Sequence, residues 1–394
     1  LASADCQVIH NPPERWNPGD HIGLRTGAFL ASVETFDAAY FHLSKAEVGE
    51  LDPHARLVLD AAPAALTSTA TLTDVAVLPA ALRDAFSLPL ATCNLPRLVA
   101  NALELQGPAD HLDKACTSSH MALHLARDAV QRGGEGALVV GVTLMLQPLV
   151  SQGLLRDGIL STSGVCRPLD QDCDGLVRGE ACAALVLQAA DNARAALGQL
   201  LSSAVTHNSS QLPSLLSPDQ EAQEQALTQA HAGRVVELLH IHGIGQLMAD
   251  TTELLALQSA WPGGGTLLNH KANLGHTVAA AGALAVLTTL EAMRQRGVPA
   301  HLKLEKPVRQ LEGELVAPVQ LMEVVTRVAG VHGHAISGVN VHLVLAAGKC
   351  ECSLTVVESI EWRRGEVLPA LATAPKGIAV PNQITQSSPT TCRC

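Results

Sequence analysis

The chain has 394 residues, 47% of them hydrophobic and only 16% charged, enough apolar material for a large core in one domain or two fused lobes. A net charge of −11 excludes a polyanion partner, because a nucleic-acid binder needs a basic stripe to displace counterions. Aromatic residues are only 2%, so aliphatic and alanine side chains must carry the packing.

The chain opens on Leu1 with no Met, which suggests an excised or incomplete piece. No charged n-region followed by an apolar h-region marks it for secretion. Its ten cysteines are irregularly spaced, which points to a reducing compartment and a cytoplasmic (or organellar) location rather than a disulfide scaffold. Short aliphatic runs such as Ala137–Val142 and Ala184–Leu187 predict strands buried on both faces. Ser119–Gln131 and Gln220–His231 predict helices between them, and this alternation indicates an α/β layered architecture. Thr206–Ser217, polar and Ser-rich, predicts a surface loop between two lobes. The most apolar tract, Thr277–Leu290, is fourteen residues, too short to span a bilayer, and predicts a buried helix. Periodicity fades after Gly348, and residues 349–394 predict a linker or disordered tail, with Ala372–Cys394 rich in Pro, Thr and Ser. The pairs Cys350/Cys352 and Cys392/Cys394 match no zinc module, so no metal is assigned.

Cys116, in Asp113-Lys-Ala-Cys116-Thr-Ser-Ser119, immediately precedes a predicted helix. There the unpaired N–H groups and the helix dipole favour its thiolate and lower the cost of making a nucleophile without a dedicated base. Taken by itself a single cysteine is more often a buried structural residue, and the surrounding segment decides the reading.

The segment resembles the D-T-A-C-S-S-S active-site motif of β-ketoacyl synthases. Gly158–Asp174 resembles that family's G-x-L-S-P-D-G-R-C-K-P-F-D, and Gly175-Leu-Val-Arg-Gly-Glu180 its G-F-V-R-G-E. Pro13-Glu-Arg-Trp16, Phe36-Asp-Ala-Ala-Tyr-Phe41 and Leu51-Asp-Pro-His-Ala-Arg56 follow the signatures of the modular type I polyketide synthase branch, in order. The resemblance covers roughly residues 1–346. It implies a five-layered α-β-α-β-α thiolase fold of two similar halves: 1–190 with the nucleophile and 191–348 with the catalytic histidines. It also implies a homodimer, acyl carrier protein and neighbouring synthase domains as partners, and no permanently bound cofactor, substrates arriving on phosphopantetheine. Arg178 and Glu180 read as structural, a charged pair that fixes loop geometry.

Two histidines sit in matching frames. His242-Gly-Ile-Gly-Gln246 with Asp250 and Glu253 resembles H-G-T-G-T-x-L-G-D-P-x-E, and Lys271-Ala-Asn-Leu-Gly-His276 resembles K-S-N-I-G-H. Carried over, Cys116 accepts the acyl chain while His242 and His276 bind the malonyl-type thioester carbonyl and promote loss of carbon dioxide. Donors aimed at the oxygen where enolate charge builds suit that task. Lys271 is expected to support the second histidine electrostatically. Ser337-Gly-Val-Asn-Val-His342 resembles S-G-T-N-A-H, which puts Ile336 at the gatekeeper phenylalanine position; its backbone N–H and that of Cys116 are the expected oxyanion hole. Ile244, Gln246, Asn273, Gly338 and Asn340 are the expected pantetheine and substrate contacts.

The chain departs from the pattern at several places. Ile244 lacks the threonine hydroxyl, which removes one hydrogen bond worth about 0.5–1.5 kcal/mol. His120 stands where an apolar residue is usual, Lys114 replaces a small residue two positions before Cys116, and His332-Gly-His-Ala-Ile336 has lost the aromatics of S-S-F-G-F. Lys114 either depresses the thiol pKa or points to solvent. The opening strand is missing, and the segment from Ala65 to Asn101 is short. The expected activity is decarboxylative Claisen condensation of a cysteine-bound acyl chain with a malonyl-type thioester. The alternatives are a non-elongating ketosynthase or a thiolase-like scaffold subunit that only transfers or gates acyl chains.

Overall fold

A computed structural model describes residues 6–12, 15–16, 22–31, 33–66, 75–81, 94–189, 196–209, 211–214, 216–311 and 313–348. The expected tail, with both C-x-C pairs, lies outside the described residues, as do Pro13 and Glu14 and parts of the short segment between Ala65 and Asn101.

Three strands form the first sheet in the order β1 (Val75–Ala81), β2 (Gly136–Thr143), β3 (Ala181–Leu187), with β1 parallel and β3 antiparallel to β2. The second sheet has six: β4 (Gly198–His207), β5 (Leu238–His240), β6 (Gly265–Leu268), β7 (Leu315–Val316), β8 (Val328–His334) and β9 (Val339–Ala347). Their spatial order is β7-β6-β5-β8-β9-β4, parallel from β7 to β8 and antiparallel from β8 to β4.

The continuous apolar runs follow from burial on both faces. In β1, Val75 and Val77 point to one cluster with Val58 and Leu59 of the outer helix α1 (Pro53–Leu66) and Val99 of α2 (Leu95–Ala102). The alternate residues Ala76 and Leu78 point inward. That inner cluster also holds Ala122, Leu123 and Ala126 of α3 (Ser118–Gln131), Ala285 and Val286 of α4 (Ala281–Gln295), and Val341, Leu343 and Leu345 of β9. On the far side, α5 (Gln220–His231) and α6 (Leu247–Ala260) pack Leu227, Leu254 and Leu257 against Leu239, Leu267 and Val344. The layers therefore run α1/α2, first sheet, α3/α4, second sheet, α5/α6, the five-layered arrangement expected. Small residues permit the tight central layer: a Cβ at Gly141 of β2 would come 2.8 Å from the Cα of Ala280.

Helix limits match expectation to within a residue for α3 and α5. The apolar tract forms a short 3-10 turn, Val278–Ala280, followed by buried α4. Thr206–Ser217 differs from expectation. Thr206 still belongs to β4, and the segment joins β4 to α5 inside the second sheet's half rather than bridging the two halves. Its Asn208 bonds to the Ser217 carbonyl and the Ser209 N–H to Asp219, so the polar residues close a turn. Among the described residues no helix is long and apolar enough to cross a membrane.

Candidate active site

Cys116 sits on a 3-10 turn, Ala115–Thr117, at the entrance to α3. Each polar residue around it has a structural task. Asp113 accepts from the Ala115 N–H (3.1 Å), the Ser118 hydroxyl spans the Lys114 N–H and the Ala115 carbonyl, and the Thr117 hydroxyl bonds the Lys114 carbonyl. Ala115 is held at φ +50°, a left-handed conformation costly for a non-glycine residue. Ser119 accepts from the N–H groups of Gly282 and Ala283, tying α3 to the start of α4.

His242 follows β5 in a loop shaped by two buried carboxylates of α6. Glu253 accepts from the His242 and Gly243 N–H groups (2.6 and 2.8 Å), and Asp250 from those of Ile244, Gly245 and Leu169. The Gly158–Asp174 segment and the glycine that follows it brace this loop: the Gly175 N–H bonds the Gly245 carbonyl, and the Cys166 thiol faces the Ile244 carbonyl.

His276 is placed by the Gly-Leu-Val-Arg-Gly-Glu segment. Its N–H bonds the Val177 carbonyl (2.6 Å), and its carbonyl accepts from Gly179. A Cβ on Gly179 would lie 2.2 Å from the Leu274 carbonyl oxygen, so only glycine lets these two segments touch. Glu180 is structural, as expected, accepting from Arg15 (2.9 Å) and the N–H groups of Leu30 and Met145. The guanidinium of Arg178 donates to Ser151. The upstream signature is structural too: His54, bonded to Asp52, accepts from the Leu144 N–H next to Met145.

These elements bring Cys116, His242 and His276 together. The Nε2 atom of His276 is 3.0 Å from the Cys116 Sγ, the His242 ring stands edge-on to His276 at 5.4 Å, and one ligating atom from each of the three lies within 4.8 Å of the others. Lys271 is fully buried and donates to the His242 carbonyl. It therefore braces the first histidine's backbone, and its charge also acts on His276, the second histidine beside which its role was expected.

Electrostatics overturn one expectation. Burial pushes the Cys116 thiol up to about 11; Lys271 and a backbone hydrogen bond pull it down but do not win, so the helix entrance alone does not make a thiolate. Lys114 is exposed and is not among the groups acting on the thiol; Lys271 supplies that positive charge. Burial, with Lys271 adding to it, holds His242 and His276 far below the usual imidazole value, so both are neutral. Burial lowers Lys271, which Glu253 counteracts, and burial raises Glu253.

Ile336 lies half-exposed in the turn between β8 and β9, and the hydroxyl of its neighbour Ser337 bonds the Lys114 carbonyl, two residues before Cys116. Gly338 (φ +76°) sits in the same turn, and Asn340, opposite His334 in the ladder, donates to Asn208. Of the other expected contacts, Ile244 is packed among Leu24, Ile159, Leu160, Leu176 and Ala249, which makes it core. Gln246 begins α6 half-exposed. Asn273 is buried with its side-chain amide unpartnered.

The sequence reading missed Asn269, which bonds the Gly243 carbonyl and the Lys271 N–H, and Asn208. It noted the altered 332–336 segment without seeing that His334 lies tilted against His242, ring centroids 4.2 Å apart. The alternation along β8 carried that signal.

Residues 67–193 match the family model for the β-ketoacyl synthase N-terminal domain, and residues 197–305 match that for the C-terminal domain. The chain belongs to the β-ketoacyl synthase family. Its relatives include a mycocerosic acid synthase-like polyketide synthase of Mycolicibacterium smegmatis, 31% identical over 93% of this chain and 20% of that protein. The erythronolide synthase EryA3 of Saccharopolyspora erythraea is 30% identical over 86% of this chain and 12% of that protein. The chain thus spans about a fifth or less of these relatives' length. The ketosynthase from module 6 of the Bacillus subtilis bacillaene synthase shares the fold, with a TM-score of 0.84 at 24% identity, covering 89% of this chain and 69% of that one. The thiolase fold and the ketosynthase family membership therefore stand together.

Proposed function

We propose that this ketosynthase performs decarboxylative condensation, with Cys116 as nucleophile and His242 and His276 at the enolate-forming position. The observation that carries this reading is the hydrogen bond between His276 and the Cys116 thiol, with the His242 ring edge-on beside it. A thiol protonated at neutral pH needs an acceptor, and the neutral imidazole of His276 takes its proton as sulfur attacks the acyl thioester carbonyl. The departing pantetheine sulfur takes that proton from His276, which returns to its neutral form. Oxygen charge in that step falls to backbone N–H groups, for which Cys116 and Ile336 are our candidates. In the second step the bond between the malonyl carboxylate carbon and Cα breaks. Carbon dioxide leaves and the electron pair becomes an enolate, whose oxygen the imidazoles of His242 and His276 stabilise. The enolate carbon then attacks the acyl-Cys116 carbonyl, and Cys116 departs and regains its proton.

The same reading gives the chain acyl and malonyl-type thioesters as substrates, an acyl carrier protein with its phosphopantetheine arm as partner, a homodimeric state and a cytoplasmic setting. It divides the chain near residue 190 into a nucleophile half and a histidine half. Gln246, Asn273, Gly338 and Asn340 remain candidate pantetheine contacts. The test is paired: a mass shift on Cys116 with an acyl thioester, and carbon dioxide release from malonyl-carrier protein. Acylation without release would replace this reading with a transfer-only ketosynthase; neither would point to a scaffold subunit.

A further inference from the structure

We propose that residues 354–362 of this chain lie across an exposed apolar ribbon, residues 319–325, and cover it. The ribbon passes the end of α4 between β7 and β8. Its Met322–Glu323 pairs antiparallel with Gly297–Val298, and the Val324 N–H bonds the Arg296 carbonyl. In an extended segment alternate side chains take opposite faces. Val324 turns inward against Leu238, Leu268 and Met293, and the odd-numbered residues turn out. Val319, Leu321 and Val325 are 66%, 64% and 68% exposed, with exposed Glu323 among them. The Leu321 Cδ1 lies 3.4 Å from the place a Gly297 Cβ would take, so this side chain spreads along the ribbon. Two paired strands are marginal by themselves, and three large aliphatic side chains aligned on one outward face mark a surface that another segment covers.

The chain itself delivers the occupant. The described residues end at Gly348, and the Ala347 N–H bonds the carbonyl of Arg327, two positions from Val325. Those two positions span at most about 7 Å, whereas residues 349–353 reach about 17 Å when extended. The next stretch is Leu354-Thr-Val-Val-Glu-Ser-Ile-Glu-Trp362. Its alternate positions Leu354, Val356, Ile360 and Trp362 are apolar, broken only by Glu358, the period of an extended segment with one apolar face. Charge agrees with this pairing. Exposed Arg296 and Arg327 flank the ribbon, and Glu351, Glu358 and Glu361 accompany the segment. The proposal takes these nine residues out of the linker expected for 349–394, and it rests on no step of the acyl chemistry.

The test uses the full chain and two readouts. Trp362 fluorescence is isolated as the difference between the parent and Trp362→Phe, and trypsin cleavage after Arg363 and Arg364 is followed by mass. In the parent, Trp362 should emit to the blue of free tryptophan amide, with acrylamide quenching weaker by roughly threefold or more. Joint Leu321→Asp and Val325→Asp should return that emission to the red and speed the cleavage by roughly tenfold. Leu216→Asp, an exposed leucine on a distant loop, should change neither. Ile360→Asp, which alters the segment and leaves the ribbon as it is, should speed cleavage in the same way and guards against a ribbon variant that fails to fold. Emission and quenching of Trp362 in the parent equal to those of free tryptophan amide overturn the proposal. So does cleavage at the parent rate in both the ribbon variant and Ile360→Asp. A second copy of the chain is the rival occupant: ribbon substitutions that halve the mass by light scattering while Trp362 is as exposed as the free amide would replace this reading with that one.

Discussion

The imidazole Nε2 of His276 lies 3.0 Å from the Cys116 sulfur, while the His242 ring meets His276 edge-on and lies tilted against His334. The two histidines are therefore unequally placed for the proposed chemistry. His242→Ala should leave Cys116 able to accept an acyl group, at a rate within a few-fold of the parent. It should lower carbon dioxide release by roughly 100- to 1000-fold, the usual cost of one preorganised donor. His276→Ala should slow both steps, because a thiol pushed up to about 11 loses its proton acceptor. Intact-protein mass and carbon dioxide release, measured on both variants, check the asymmetry. Equal acylation rates in the two variants would refute it.

Cys116→Ala should abolish acylation, and alanine at Cys166, Cys173 or Cys182 should not. Burial raises all three of these thiols to about 12, and the Cys166 and Cys182 sulfurs face backbone carbonyls rather than an imidazole. Peptide mapping after reaction with an acyl thioester reads the result directly.

Removing the Glu253 carboxylate should cost more than its distance from sulfur suggests. Glu253→Ala strands two buried N–H groups, those of His242 and Gly243, and leaves Lys271 without its counter-charge. Each stranded donor costs about 1–3 kcal/mol. Urea unfolding should show a loss of about 2–5 kcal/mol. Glu253→Gln, which can accept only through one oxygen, should fall between the parent and alanine.

Stability should fall as pH drops below neutrality. Burial lowers His120 and His334 to about 3 and His301 to about 4. The unfolded chain takes up a proton at each below about 6.5, which the folded chain refuses, so stability rises with pH across that window and is lost from 6.5 downward toward 3. Between pH 6.5 and pH 5 each of these residues should cost roughly 2 kcal/mol. Urea midpoints measured from pH 7.5 to pH 5 should move steadily down; a flat profile would contradict neutral burial.

His120 and Gly333 should prove coupled. A Cβ on Gly333 would fall 2.5 Å from the His120 ring, so the histidine fills space that glycine leaves open. Gly333→Ser should destabilise by about 1–3 kcal/mol through overpacking. Adding His120→Ala should recover much of that loss, and a double-mutant cycle from denaturant curves reads the coupling.

Much of this was legible in the chain itself. Continuous apolar runs at Ala137–Val142 announced a strand covered on both sides, and β2 is one, with Leu138 and Val139 in different clusters. The ordered motifs located Cys116, His242 and His276. What stayed hidden depends on contacts across long separations. Nothing local to Cys116 shows that burial outweighs the helix entrance, because the enclosing residues come from both halves. Nothing local to Lys271 shows that its ammonium bonds the His242 carbonyl twenty-nine positions away. The 206–217 loop was misplaced because polarity marks a turn but carries no record of which elements it joins.

The Ser119 hydroxyl, which caps the N–H groups of Gly282 and Ala283, has a mechanical meaning. The Cys116 turn leads into one central helix and His276 precedes the other, and both helices pack in one cluster with strands of both sheets. The hydroxyl therefore fixes the spacing of the two helix entrances, and with it the separation of sulfur and imidazole, from a point that touches neither.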